Sequence, residues 1–81
     1  MSYSQENLSE LGVLMLYDLS NHQQGIKIHK TADVDKIEAA KRLFEKGLIS
    51  QADGGYLTTL GNEAAEQAQS LFTMLNAHSG E

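Results

Sequence analysis

The segment from Leu43 to Gly61, LFEKGLISQADGGYLTTLG, constrains the fold more than any other part of the chain. Gly47 is typical of a helix C-terminus, because glycine readily adopts the left-handed conformation that ends a helix. Gly54 and Gly55 supply the positive φ that a tight hairpin needs, and Thr58 is a typical helix N-cap. The segment therefore predicts a helix, a two-stranded hairpin and a second helix in direct succession.

A first helix is predicted over residues 5–19, where apolar residues recur at helical spacing. Leu8, Leu11, Met15 and Leu19 form one apolar stripe of this helix, with Gly12 and Leu16 beside it. Val13 and Leu14 widen the apolar surface, so the helix has two faces to bury. A chain of 81 residues buries only roughly 60–65% of its unfolded surface, and without cysteine its remaining stabilising device is association. One face is therefore predicted to contact a second subunit.

The alternating residues 26–30 predict a short strand with Ile26 and Ile28 inward. A middle helix is predicted over 33–46, with a buried stripe of Val34, Ile37, Ala40 and Phe44, and Leu43 alongside. The last helix is predicted over 59–76. Its broad apolar face is Ala64, Ala65, Ala68, Leu71, Phe72 and Leu75. We expect a homodimer whose interface comes from the first and last helices, through Leu11, Leu14, Met15, Leu71, Phe72 and Leu75.

The order of helix, strand, helix, two-stranded wing and helix predicts an α+β, mainly α, winged-helix-like fold. One domain covers residues 1–81, with 1–4 and 77–81 expected to fray. The sequence KRLFEKGLI, the glycine-containing hairpin and LTTLG resemble the recognition-helix end, wing and last helix of MarR-type regulators, in which Leu-Thr-x-x-Gly closes the wing. The whole chain also resembles a small gammaproteobacterial family described as DNA-binding. This resemblance implies DNA binding and a regulator-like role.

Two features depart from a conventional winged helix. Residues 31–47 leave room for only one helix of ordinary length before the wing, or for one turn plus a short helix, where a full winged helix has two helices. The wing tip, 52–55, carries Asp53 and no cation.

The charge distribution bears on DNA binding. The net charge is −5, yet all six cations lie between Lys27 and Lys46. The predicted phosphate contacts are Lys41, Arg42 and Lys46, helped by Lys27 and Lys30. In this interpretation Arg42 and Lys46 point away from the buried stripe into solvent. The alternative is an ordinary solvated helix face with Glu38–Arg42 and Lys41–Glu45 pairs. The protein is then an interaction or dimerisation module with a winged-helix shape and no nucleic-acid role.

Other chemistry is not expected. His22, His29 and His78 form no metal-ligand spacing, so neither a metal site nor a cofactor is predicted. No catalytic motif is present and enzyme activity is not predicted. The acidic first residues do not match a signal peptide, and the longest apolar run, 13–17, is too short to span a membrane. A cytoplasmic protein is expected.

Overall fold

The computed structural model describes residues 2–21 and 23–77, which form three helices and a three-stranded antiparallel sheet. In chain order the elements are α1 Gln5–Leu14, β1 Ile26–Lys27, α2 Val34–Glu45, β2 Ile49–Gln51, β3 Gly54–Leu57 and α3 Thr59–Asn76. This order confirms the predicted winged-helix-like α+β fold, including the single helix between β1 and the wing. The predicted fraying of residues 1–4 and 77–81 stays a prediction. Residue 1 and residues 78–81 lie outside the described part.

Helix α1 begins as predicted but ends five residues early. The Asn7 backbone N–H donates to Ser4 Oγ at 3.0 Å, and the Ser4 N–H donates to Asn7 Oδ1 at 3.2 Å, which forms a capping box. At the other end, Gln69 Nε2 on α3 donates to the carbonyls of Leu14 and Tyr17 at 3.2 and 2.8 Å. A side chain from α3 thus satisfies two carbonyls where α1 stops, and the chain continues through turns.

The end of α2 has the geometry that its glycine predicts. Gly47 has φ +80°, and its N–H donates to the Phe44 carbonyl at 3.0 Å. The Leu48 N–H donates to the Leu43 carbonyl at 2.9 Å. These two bonds form a Schellman motif, which turns the chain sharply from α2 into β2.

Strand β3 lies in the centre of the sheet, between β1 and β2. The hairpin glycines have the predicted positive φ, +126° at Gly54 and +72° at Gly55. Gly54 pairs with Lys27 on one side and with Gln51 on the other. A Cβ on Gly54 would collide with the Ile26 backbone, so this glycine also permits the close approach of β1.

The buried face of α2 differs from the predicted one. Ala40 is buried as predicted, together with Ala39 and Leu43, whereas Val34 and Phe44, two other members of the predicted stripe, are exposed. The observed face is rotated by about 100° from the predicted one, which is the angle between consecutive helical residues. The two alanines face the core, where their small side chains allow α1 to pack closely on α2.

Of the two apolar faces predicted for α1, the one that contains Val13 and Leu14 is buried in the core, and Leu11 and Leu19 pack against its edge. Val13, Leu14 and Tyr17 enter the core, while Leu8 and Leu16 are exposed. Ile28, Ile49, Ala65 and Ala68 complete the core together with the α2 residues. Ile28 is inward and His29 outward, as the alternation in residues 26–30 predicts, although the strand itself is only two residues long.

Candidate functional site

The structure places the predicted DNA-contacting cations in two groups. Arg42 lies on the edge of α2 that faces α1, Lys46 directly follows the helix as its C-cap, and both bind Glu10. Arg42 Nε is 2.8 Å from Glu10 Oε2, and Lys46 Nζ is 2.9 and 3.0 Å from the two carboxylate oxygens. Arg42 also donates to the Glu6 carbonyl at 3.3 Å. Both side chains therefore tie α2 to α1.

Glu10 is a buried acid on the core-facing side of α1. Burial raises the pKa of its carboxyl group, but hydrogen bonds from Lys46, Arg42 and Asn7 outweigh this effect and hold the pKa below its usual value. The carboxylate is therefore charged at neutral pH. It offsets one of the two positive charges beside it, so this edge of α2 carries a net charge of +1 where the sequence pattern indicates +2.

These contacts correct two predictions about α2. Arg42 is largely covered rather than solvent-exposed, because the rotated helix turns it toward α1; Lys46 remains about half exposed. The predicted pairing of Arg42 with Glu38 is also wrong, since its partner is Glu10 on another helix, and Glu38 instead lies 3.5 Å from Lys41. The role of these cations in DNA binding stays a prediction.

The second group of cations lies in or near a surface groove of about 560 Å³ between the segment that follows β1, α2 and the wing. Lys30 and Lys41 line this groove, and its apolar lining residues are Ile28, Ile37, Ala40 and Ala52. Lys27 lies 3.6 Å from Asp53 at the wing tip, and both side chains are largely exposed. Such exposed pairs contribute little to stability and leave the lysines accessible to other partners.

The residues predicted to form a dimer interface divide between the core and the surface. Leu14 is buried in the core of the subunit, so its side chain does not lie on the surface where an interface was predicted. Leu11 and Met15 are partly buried. On α3, Leu71, Phe72 and Leu75 are exposed, and Met74, absent from the predicted interface, is exposed beside them.

The C-terminal part of α3 carries no charged side chain. Residues 67–76 contain no Asp, Glu, Lys or Arg. Within this stretch Phe72 is 53% exposed, Met74 66% and Leu75 75%. We call Leu71, Phe72, Met74 and Leu75 the α3 apolar surface. A concentration of large apolar side chains of this kind is typical of a protein-interaction site.

The described residues offer neither a metal-binding cluster nor a membrane-spanning helix. Within residues 2–21 and 23–77 no group of three or more His, Cys, Asp or Glu side chains is arranged to hold a metal ion. In the same residues, no helix has both the length and the apolarity needed to cross a membrane. His29 is exposed, and His22 and His78 lie outside the described part.

Glu10 is the residue that the sequence reasoning missed. It stands at the spacing i, i+3, i+4 and i+7 with Val13, Leu14 and Tyr17, so it occupies a core-facing position of α1. Charged residues are almost never fully buried without a partner. An acid in this register therefore predicts a cation on the helix that packs against it.

The chain belongs to a family of unknown function, DUF5669, whose family model matches residues 1–76. No curated protein and no solved structure matches the chain. The family description gives no activity, so the two functions considered from the sequence rest on the geometry of the molecule.

Proposed function

We propose that this member of DUF5669 is a protein-interaction module that forms a homodimer through the α3 apolar surface. The exposure of four large apolar side chains on an uncharged stretch of helix carries the proposal. The placement of Arg42 and Lys46 against Glu10 supports it further, because it lowers the charge that α2 offers to a phosphate backbone.

The spacing of residues along α3 favours a second copy as the partner. Gly61, Ala65, Ala68, Phe72 and Leu75 follow one another at intervals of four, three, four and three residues, the spacing of a helix–helix seam. The first three are buried within the subunit, and the last two continue the same stripe beyond the core. In a two-fold dimer the same patch of both subunits meets, and a patch without charges meets its copy without like-charge repulsion.

Sedimentation tests this dimer. The wild-type chain is expected to sediment at twice 8.9 kDa at micromolar concentration. The double variant Phe72→Glu/Leu75→Glu is expected to sediment as a folded monomer, because both side chains are exposed and four like charges would face each other across the interface.

Val34→Glu is the matched control for this experiment. Val34 is 70% exposed on α2, so the control makes the same kind of apolar-to-acid change outside the α3 apolar surface. It is expected to leave the dimer intact. A wild-type monomer, or equal dissociation by Val34→Glu and the double variant, would contradict the proposal.

Weak DNA binding is a second candidate function, favoured by one observation. Lys30 and Lys41 line the same groove as the wing residues Ala52 and Asp53, so the segment after β1 and the helix before the wing each present a cation beside the wing. With few phosphate contacts available, we expect a dissociation constant in the micromolar range or weaker, as for non-specific binding at about 10⁻⁴–10⁻⁶ M.

Titration of a labelled mixed-sequence duplex at low salt tests this candidate. Lys30→Gln/Lys41→Gln is expected to weaken binding and to reduce the salt slope by about 0.9 for each phosphate that the variant no longer neutralises. Glu10→Gln is expected to strengthen binding if Arg42 and Lys46 also reach phosphates, because it removes the charge that holds them. Absence of any binding at low salt and high protein concentration would exclude the DNA function and leave the interaction module.

A further inference from the structure

A second surface groove adjoins the one beside the wing. It has a volume of about 430 Å³ and lies between the turn after α1, β1 and the first turn of α2. Its apolar lining residues are Leu16, Ile26, Ile28 and Ala32, and its lysines are Lys27 and Lys36. Ile28 and His29 line both grooves, so the two meet at the segment that follows β1. We call them the wing groove and the β1 groove.

Four of the six Lys and Arg side chains line these two grooves. Lys30 and Lys41 line the wing groove, and Lys27 and Lys36 line the β1 groove. The other two cations bind Glu10, as described above. A chain with a net charge of −5 therefore places every lysine that Glu10 does not bind along two apolar grooves.

The acids near these lysines leave them available to a ligand. Lys27 lies 3.6 Å from Asp53 and Lys41 lies 3.5 Å from Glu38, and the four side chains are about half exposed or more. Exposed pairs of this kind are weak, because water screens them, so a carboxylate of a ligand can take the place of the acid. The described lining of the β1 groove contains no Asp or Glu, which makes it the more positively charged of the two grooves.

We infer that the two grooves together bind an extended segment of a partner protein in which acidic and apolar residues are interspersed. Apolar side chains of the segment pack on lining residues such as Leu16 and Ile37, and its carboxylates pair with the four lysines. The grooves measure about 560 and 430 Å³, within the roughly 300–1,000 Å³ of typical ligand sites, so each has room for an apolar side chain. Complementary charge of this kind attracts a partner and fixes its register.

The apolar linings favour a peptide over a nucleic acid. A duplex presents phosphates and sugars at its surface, and its main apolar group is the thymine methyl of the major groove, so most of both linings would stay uncovered. The spread of the lysines favours a chain over a small organic acid. A single carboxylate would meet one or two of the four lysines, whereas acids spaced along a segment meet lysines in both grooves.

This inference does not rest on the dimer proposed above. The described lining residues of both grooves come from other parts of the chain than α3, which carries the α3 apolar surface. Peptide binding is therefore expected to be retained by the Phe72→Glu/Leu75→Glu variant, whatever its oligomeric state.

Fluorescence anisotropy with labelled decapeptides and the full chain tests the inference. A peptide in which aspartate and leucine alternate is expected to bind. Replacing its leucines with serine, or its aspartates with lysine, is expected to weaken binding by about tenfold or more, because the first change removes the apolar contacts and the second reverses the charge.

Two pairs of protein variants locate the binding site. Leu16→Ser is expected to weaken binding of the aspartate–leucine peptide roughly 3- to 10-fold, whereas Leu8→Ser is expected to have no effect. Leu8 is the matched control, because it is 49% exposed on α1 outside both grooves and Leu16 is 48% exposed. Lys27→Gln/Lys36→Gln is expected to weaken binding roughly 2- to 30-fold, and Lys27→Arg/Lys36→Arg, which keeps the charge, is expected to retain it.

Three results would overturn the inference. The first is no binding of the aspartate–leucine peptide even at the highest soluble protein concentration. The second is equal binding of the aspartate–serine peptide, or equal loss by Leu8→Ser and Leu16→Ser, because the apolar linings would then make no contribution. The third is tighter binding of a mixed-sequence duplex than of the peptide at the same salt concentration, which would assign these lysines to nucleic acid.

Discussion

Replacing Gly61 with alanine is expected to destabilise the fold by about 3 kcal/mol or more, at the upper end of what overpacking costs. Gly61 is buried in the first turn of α3, and a Cβ there would overlap the carbonyl group of Leu48. This neighbour is backbone and cannot move aside as the end of a flexible side chain can. For a domain of this size, the melting temperature should fall by roughly 12–24 °C.

The contacts around Gly61 explain why α3 lies so close to the wing. The Thr58 N–H donates to the Leu48 carbonyl at 3.1 Å, and Thr58 Oγ1 donates to the Gly47 carbonyl at 2.6 Å. Thr58 Oγ1 also accepts from the Gly61 N–H at 3.0 Å. The Thr58 cap thus fixes the start of α3 on the chain that leaves α2, and only glycine leaves room for that backbone. These contacts give the pattern Leu-Thr-x-x-Gly a structural reason.

Gly12→Ala is the matched control for this prediction. Gly12 also lies in a helix, but it is exposed, and a Cβ added there would meet nothing within 4 Å. Alanine is the better helix former, so this variant is expected to gain about 0.5–1 kcal/mol. Thermal unfolding followed by circular dichroism measures both variants. Equal melting temperatures for Gly61→Ala and the wild type would show that α3 does not approach Leu48 closely.

The elements of the fold could be predicted because each is fixed by local signals. Gly47, Gly54 and Gly55 have the positive φ that their positions require, and Ser4 and Thr58 cap the helices they precede. A capping side chain or a left-handed glycine acts within a few residues of itself, so it can be recognised without knowing the rest of the fold. The Gln69 contact that accompanies the end of α1 is not local, and the predicted end of α1 was wrong.

The face that each helix buries could be predicted less reliably than the elements themselves, because both α1 and α2 offer two apolar stripes. The choice between them depends on which residues meet across the interface. The observed rotation of α2 places Ala39 and Leu43 in the core, and it simultaneously brings Arg42 and Lys46 to Glu10. One error in the rotation of α2 therefore misplaced both the core and part of the candidate DNA-contacting surface.

A second prediction with a large expected effect tests the rotation of α2 directly, by comparing substitutions at two neighbouring residues. Leu43→Ala is expected to lower the free energy of unfolding by about 2–5 kcal/mol, because Leu43 is 1% exposed and its removal leaves a cavity between α1, α2 and the sheet. Phe44→Ala is expected to lower it by about 1 kcal/mol or less, although the deleted side chain is larger. Phe44 is 45% exposed, so its removal opens a surface notch that water can fill rather than an enclosed cavity.

Urea denaturation of both variants at one protein concentration measures the difference. The midpoint is expected to shift much further for Leu43→Ala than for Phe44→Ala, with the denaturant slope unchanged in both, since that slope follows the surface exposed on unfolding. The stripe predicted from the sequence, which includes Phe44 and sets Leu43 beside it, requires the opposite order. A larger destabilisation by Phe44→Ala would mean that α2 is turned the other way. It would also place Arg42 and Lys46 in solvent, away from Glu10, and so restore the positive charge that Glu10 otherwise offsets on the candidate DNA surface.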